Sequence, residues 1–111
     1  MPVDLREYRL VYIGPAERQT AVGDYAENFV NAVQPLYGEV VQCRTLGPGS
    51  ESVRDIVRHR RAVADLVAGG PPGRVLVHAE LAAGAVSAFW SIAGLRGVPV
   101  TATIHDPPQG I

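Results

Sequence analysis

The sequence predicts an α/β fold: one open parallel sheet with the element order β-α-β-α-β-α-β. Three observations predict it. Short β-rich runs alternate with longer segments of helical periodicity, an order that favours parallel strands joined by right-handed crossovers. The strands are near-continuous apolar runs, as expected of strands covered on both faces. Glycine- and proline-rich breaks separate the elements.

Length and composition bound the rest. The chain has 111 residues, enough for one domain with a modest core. It is 47% apolar and 19% charged, which suits a globular protein and excludes a disordered one. The net charge of -1 gives the chain no overall pull toward nucleic acid. Cys43 is the only cysteine, so no internal disulfide can form. The opening residues, Met1 to Glu7, carry acids and no apolar stretch, unlike a secretory signal. The longest apolar run, Leu81 to Leu95, includes Gly84, Ser87, Ser91 and Gly94. It falls short of the roughly 20 apolar residues that span a bilayer. These features lead to the expectation of a soluble, cytoplasmic protein.

Tyr8 to Ile13 is the first strand, closed by Gly14-Pro15. A polar loop, Ala16 to Val22, leads to Asp24 as a helix N-cap, with Glu27 three residues on completing a capping box. Tyr25, Phe29, Val30, Val33 and Leu36 recur at helical spacing, so the first helix runs from Asp24 to about Gln34. Pro35 ends or distorts it, and Gly38 follows as a stop. Glu39 to Arg44 is the second strand, and Leu46 to Ser50 is loop. Ser52 with Asp55 resembles a second capping box. Val53, Ile56, Val57, Val63, Leu66 and Val67 mark the inward face of the second helix, which Gly69 to Gly73 stops. Arg74 to Ala79 is the third strand. Leu81 to about Leu95 is a third helix, apolar on nearly every side and therefore largely buried, with Phe89 and Trp90 in the core. Gly97 and Pro99 turn the chain into the fourth strand, Val100 to Ile104.

In such a sheet ligands bind at the carboxyl ends of the strands. Three junctions therefore carry the candidate chemistry. The fourth strand delivers His105 and Asp106, which suit a substrate-contacting or proton-handling role, or a histidine that only hydrogen-bonds its own loop. A metal there would need further ligands, and the other histidines are only His59 and His78, so no metal centre is expected. The third strand ends in His78-Ala79-Glu80; Glu80 also fits the first turn of the next helix by its charge alone. At the first junction Gly23 and Asp24 would let a phosphate approach a helix N-terminus, or simply turn and cap the chain. Neither the dinucleotide fingerprint nor the phosphate-loop pattern occurs, so no nucleotide cofactor is expected. Arg54, Arg58, His59, Arg60 and Arg61 form a basic run on the second helix. Base rates favour a solvated helix face; the lesser alternative for the four arginines is peripheral contact with the inner face of a membrane.

Three segments together carry a resemblance. They are Ala21 to Phe29, Val77 to Glu80, and Val98 to Asp106. In order and spacing the chain from Tyr8 onward resembles the N-terminal domain of a GT-B glycosyltransferase, nearest to the retaining family 4. The resemblance implies a Rossmann-like, acceptor-side domain, half of a GT-B architecture, and transfer from a nucleotide-sugar donor with retention. Gly23 would match the glycine near the donor phosphates, and His105 the histidine at the donor sugar or reaction centre, with Asp106 beside it. His78 and Glu80 would be substrate-binding, although Glu80 stands where that family has a second histidine. Thr20-Ala21 replaces a small glycine-rich pair. Residues 1–111 would then be a partial domain lacking a C-terminal donor-binding domain with its paired glutamates. Alone it would bind donor weakly, catalyse nothing and expose its fourth strand as a sheet edge. The alternative reading is a non-catalytic α/β module that binds a nucleotide or a protein.

Overall fold

The computed structural model describes residues 4–14, 21–44, 52–81 and 86–104. Four strands, β1 (Arg9–Gly14), β2 (Glu39–Arg44), β3 (Val75–Leu81) and β4 (Val100–Ile104), form one sheet in the order β2-β1-β3-β4. All three pairings are parallel. The helices are α1 (Ala21–Val33), α2 (Val53–Ala68) and α3 (Val86–Ala93). This is the Rossmann-like open parallel sheet expected from the alternating pattern. The chain steps from β1 outward to β2, then returns past β1 to β3, so the strand order reverses between β1 and β3.

Period-two alternation sorts the strands onto two faces. Val11, Ile13, Val75, Val77, Ala79 and Leu81 face α2 and α3, packing with Val63 and Ala88 in the larger core. Tyr12 faces the other way, against Phe29 and Val30 of α1 and Val40 of β2. β1 is central and buried, whereas β2 and β4 form the two edges among the described strands. The two-sided cover expected of every strand therefore holds for β1 and β3 only. Much of β2 is half-buried, and Val100, Thr101 and Ala102 are exposed.

The amino ends of the strands are tied together. The Arg9 guanidinium donates to Glu39 Oε2 at 2.9 and 3.1 Å and to the Leu66 carbonyl near the end of α2 at 2.8 Å. The Gly38 N–H donates to the carbonyls of Leu5 and Tyr8, and the Arg9 N–H to that of Arg74.

The capping box expected at Ser52 is present. The Asp55 N–H donates to Ser52 Oγ at 3.1 Å, and the Ser52 hydroxyl and N–H donate to Asp55 Oδ2 at 2.8 and 3.4 Å. The Ser52 hydroxyl, then its backbone N–H, hold the Asp55 carboxyl below the ordinary carboxylate range. A depressed pKa gives stability above the ordinary value that is lost as pH falls through the folded one. Ser52→Ala is therefore expected to lower stability at neutral pH. The difference from wild type should shrink as acid protonates Asp55, which urea melts across the acid range would check. A gap that persists at low pH would assign the loss to something other than the carboxylate.

Several expectations are corrected. α1 begins at Ala21, so Gly23 and Asp24 lie on helical backbone and Asp24 is not the N-cap. The spacing of Val22, Phe29 and Val33 shows why: the helical period continues upstream of Asp24. α1 ends at Val33, where Pro35 turns Gln34–Leu36 into a 3-10 turn and leaves Leu36 exposed. β3 runs on through Glu80 and Leu81 because both pair with β4, at Thr103 and Ile104. α3 is correspondingly shorter. Its Ala88 and Ser91 are buried, but Phe89 and Trp90 are 60% and 54% exposed and belong to no core. One side of α3 packs on the sheet and α2, and no described element covers the other. On α2 the inward face is Ile56, His59, Val63, Leu66 and Val67, at spacings of three, four, three and one. His59 is therefore buried rather than part of the basic face, and Val53 and Val57 are exposed.

Candidate functional site

At the reversal between β1 and β3, on the side of the sheet that α1 covers, a polar cluster sits within an aromatic wall. Register builds it. Tyr12 lies opposite His78, His78 opposite Thr101, and Glu80 opposite Thr103. Alternation aims all five side chains at the same face. Phe29 of α1 closes over them. Its ring stacks on Tyr12 at 5.2 Å and on His78 at 5.0 Å, and the Tyr12 and His78 rings lie nearly parallel at 5.9 Å.

Glu80 is fully buried. A carboxylate is tolerated there only with charged or hydrogen-bonding partners. The Tyr12 hydroxyl donates to Glu80 Oε1 at 2.9 Å, and His78 Nε2 lies 3.3 Å from the same oxygen. Thr103 Oγ1 is also 3.0 Å from Nε2, while Thr101 Oγ1 is 2.7 Å from Nδ1. A carboxylate beside Nε2 favours the proton on that nitrogen, so in the neutral ring Nδ1 accepts from the Thr101 hydroxyl. The result is a hydrogen-bonded chain from a buried carboxylate, through an imidazole, to an exposed hydroxyl. Such a chain can present an acceptor to a ligand hydroxyl or pass a proton between interior and surface.

Of the residues singled out in the sequence, the structure brings His78 and Glu80 together. Gly23 and Asp24 lie in the first turn of α1, about one and a half turns upstream of Phe29. His105 and Asp106 lie outside the described residues. Glu80 does not cap a helix; it is a strand residue held from inside. Sequence reasoning missed Tyr12, Phe29, Thr101 and Thr103. The available signal was the shared parity of Tyr12 with His78 and of the two threonines with Glu80, which becomes readable only once strand order is known.

A second buried cluster lies on the opposite face. His59 Nε2 donates to the Arg44 carbonyl at 2.9 Å, which leaves Nδ1 to accept from the Ser91 hydroxyl at 2.5 Å in the neutral ring. Cys43 Sγ is 3.6 Å from Nε2, and burial pushes its thiol pKa up, away from the reactive thiolate. These contacts fasten α2 and α3 to each other and to the end of β2, and read as structural. Among the described residues no three metal-ligating side chains converge, and no helix is long and apolar enough to cross a membrane. Compared with protein families, curated proteins and solved structures, the chain matches none of them.

Proposed function

We propose that this chain is the acceptor-side domain of a retaining glycosyltransferase that uses a nucleotide-sugar donor. The observation that carries the reading is the Glu80-His78-Thr101 chain at the point where the strand order reverses. Open α/β sheets bind ligands at that reversal, beyond the carboxyl ends of the strands; Glu80 and Thr103 stand toward those ends, with His78 midway along β3 and Thr101 second in β4. The proposed division of labour gives Thr101, Thr103 and His78 the hydroxyl groups of a sugar or polyol. Gly23 on α1 and His105 after β4 meet the donor. Asp24 and Asp106 flank those two positions. Glu80 orients His78 from below.

The test is titration with uridine, guanosine and adenosine diphosphate sugars and with the matching free diphosphates, followed by NMR of the backbone amides and the His78 ring. The expected result is weak, saturable binding that prefers a sugar diphosphate to its free diphosphate. His105→Ala should weaken it by at least about tenfold, the loss expected of one charged hydrogen bond. The absence of saturable shifts across the panel would overturn the reading.

A second reading, a non-catalytic binding module, is favoured by one observation. Among the described residues every buried side-chain nitrogen and oxygen already has a partner within the chain. That module would bind the free diphosphate as tightly as the sugar ester, so the same titration separates the two.

A further inference from the structure

The outer surface of the α2–α3 layer joins a basic stripe to an exposed tryptophan, and we infer that it docks on an anionic lipid bilayer. The inference is independent of the proposed catalytic role, because this layer lies on the face of the sheet opposite His78 and Glu80.

Arg54, Arg58 and Arg61 recur at four- and three-residue spacing and are all exposed, so they form one stripe along the outward side of α2. Arg60 is not part of it; its guanidinium lies over Gly94 at the end of α3. Asp65 extends the stripe by one turn beyond Arg61, and the Asp55 carboxylate beside it is engaged by Ser52. The arginines therefore dominate the half of α2 that runs beside α3. The contacts of His59 with Ser91 and of Arg60 with Gly94 fix that alignment, placing Trp90, one turn before Gly94, alongside the same stretch.

Three large apolar side chains border this surface: Trp90 at 54% exposure, Val53 at 80% and Val57 at 48%, while Phe89 points to the flank of α3 away from α2. A solvated helix face accounts for arginines. It does not account for an exposed tryptophan beside them. Basic residues attract anionic headgroups, and Trp partitions into the headgroup and acyl boundary, so the two features fit one partner. Neither helix is suited to crossing the bilayer, so the contact is a surface one.

Trp90 is the only tryptophan, so the protein reports on its own docking. Phosphatidylcholine vesicles with and without phosphatidylglycerol are the probes, read by Trp90 emission and by co-sedimentation. The expected result is a blue shift and co-sedimentation with the anionic vesicles only, reversed by about 0.5 M salt as the charges are screened. Each arginine near such a surface is worth about fivefold in partition, so Arg54→Glu with Arg58→Glu should lower binding by at least about 25-fold. Val57→Ser should lower it while leaving the far-UV circular dichroism unchanged. Three results would each overturn the inference: no binding, equal binding to neutral vesicles, or a concentration-dependent blue shift without lipid, which would assign the surface to a second copy of the chain.

Discussion

Replacing Glu80 with alanine is expected to lower stability by about 3–4 kcal/mol, because a cavity appears and the Tyr12 hydroxyl and the His78 ring each lose an acceptor. The side chain is fully buried and accepts from Tyr12, with His78 at the same oxygen. Its removal takes an acceptor from the Tyr12 hydroxyl at a buried position, where water has little access. For a domain of this size that is a large fraction of a total near 5–15 kcal/mol. Glu80→Gln keeps the volume, and its carbonyl oxygen in the place of Oε1 still accepts from Tyr12 and His78. Both contacts then run to a neutral acceptor, so a loss of about 1 kcal/mol is expected. Urea unfolding followed by far-UV circular dichroism measures both. An alanine variant as stable as wild type would mean that the cluster does not hold β1 to β3. The glutamine variant also tests whether the carboxylate's charge sets the His78 tautomer, since the ring signals should then change without a change in fold.

Gly38→Ala is the second large effect, about 2–3 kcal/mol from overpacking. Gly38 precedes β2, and its N–H is shared by the carbonyls of Leu5 and Tyr8. A methyl group there would fall inside the van der Waals shell of the Arg6 carbonyl oxygen and 3.3 Å from that of Tyr8. Both obstacles are backbone, so neither can swing aside as a side chain would. The cause is steric rather than torsional, and Gly97 provides the contrast. It has a φ of 69° and open space around it, so Gly97→Ala should cost about 1–2 kcal/mol from backbone strain alone. Thermal melts of the two variants should rank in that order, and the reverse ranking would show that the Leu5–Tyr8 segment yields easily.

The sheet was largely legible in the sequence for a local reason. β2 and β4 have the bounds their residues predict, because β-branched runs between glycine and proline leave few alternatives. The start of α2 was legible because Ser52 and Asp55 sit at the spacing where each satisfies the other. What was not legible depends on neighbours distant in sequence. Apolar composition across residues 81–95 does not tell which side of α3 meets the sheet, so Phe89 and Trp90 read as core when they face outward. An acid after a β-rich run reads as a helix cap, and only pairing with Thr103 and the hydroxyl of Tyr12 makes Glu80 a strand residue. His78 was named from its junction, but its partners come from three strands and a helix. Their meeting is a property of strand order.

The knot of contacts around Arg9 acts as an alignment stop. It sets where β1 stands against β2 and α2, and the Arg9 N–H to the Arg74 carbonyl sets where β1 stands against β3. Three residues further along, a distance of about 10 Å, that setting decides that Tyr12 meets His78. A slip of one residue at Arg9 would turn the histidine of β3 toward a different neighbour on β1 and send Tyr12 to the opposite face. The chemistry at one end of the sheet is thus gauged at the other. The tolerance of the polar cluster to error is no better than the grip of one arginine on a carboxylate and a helix end.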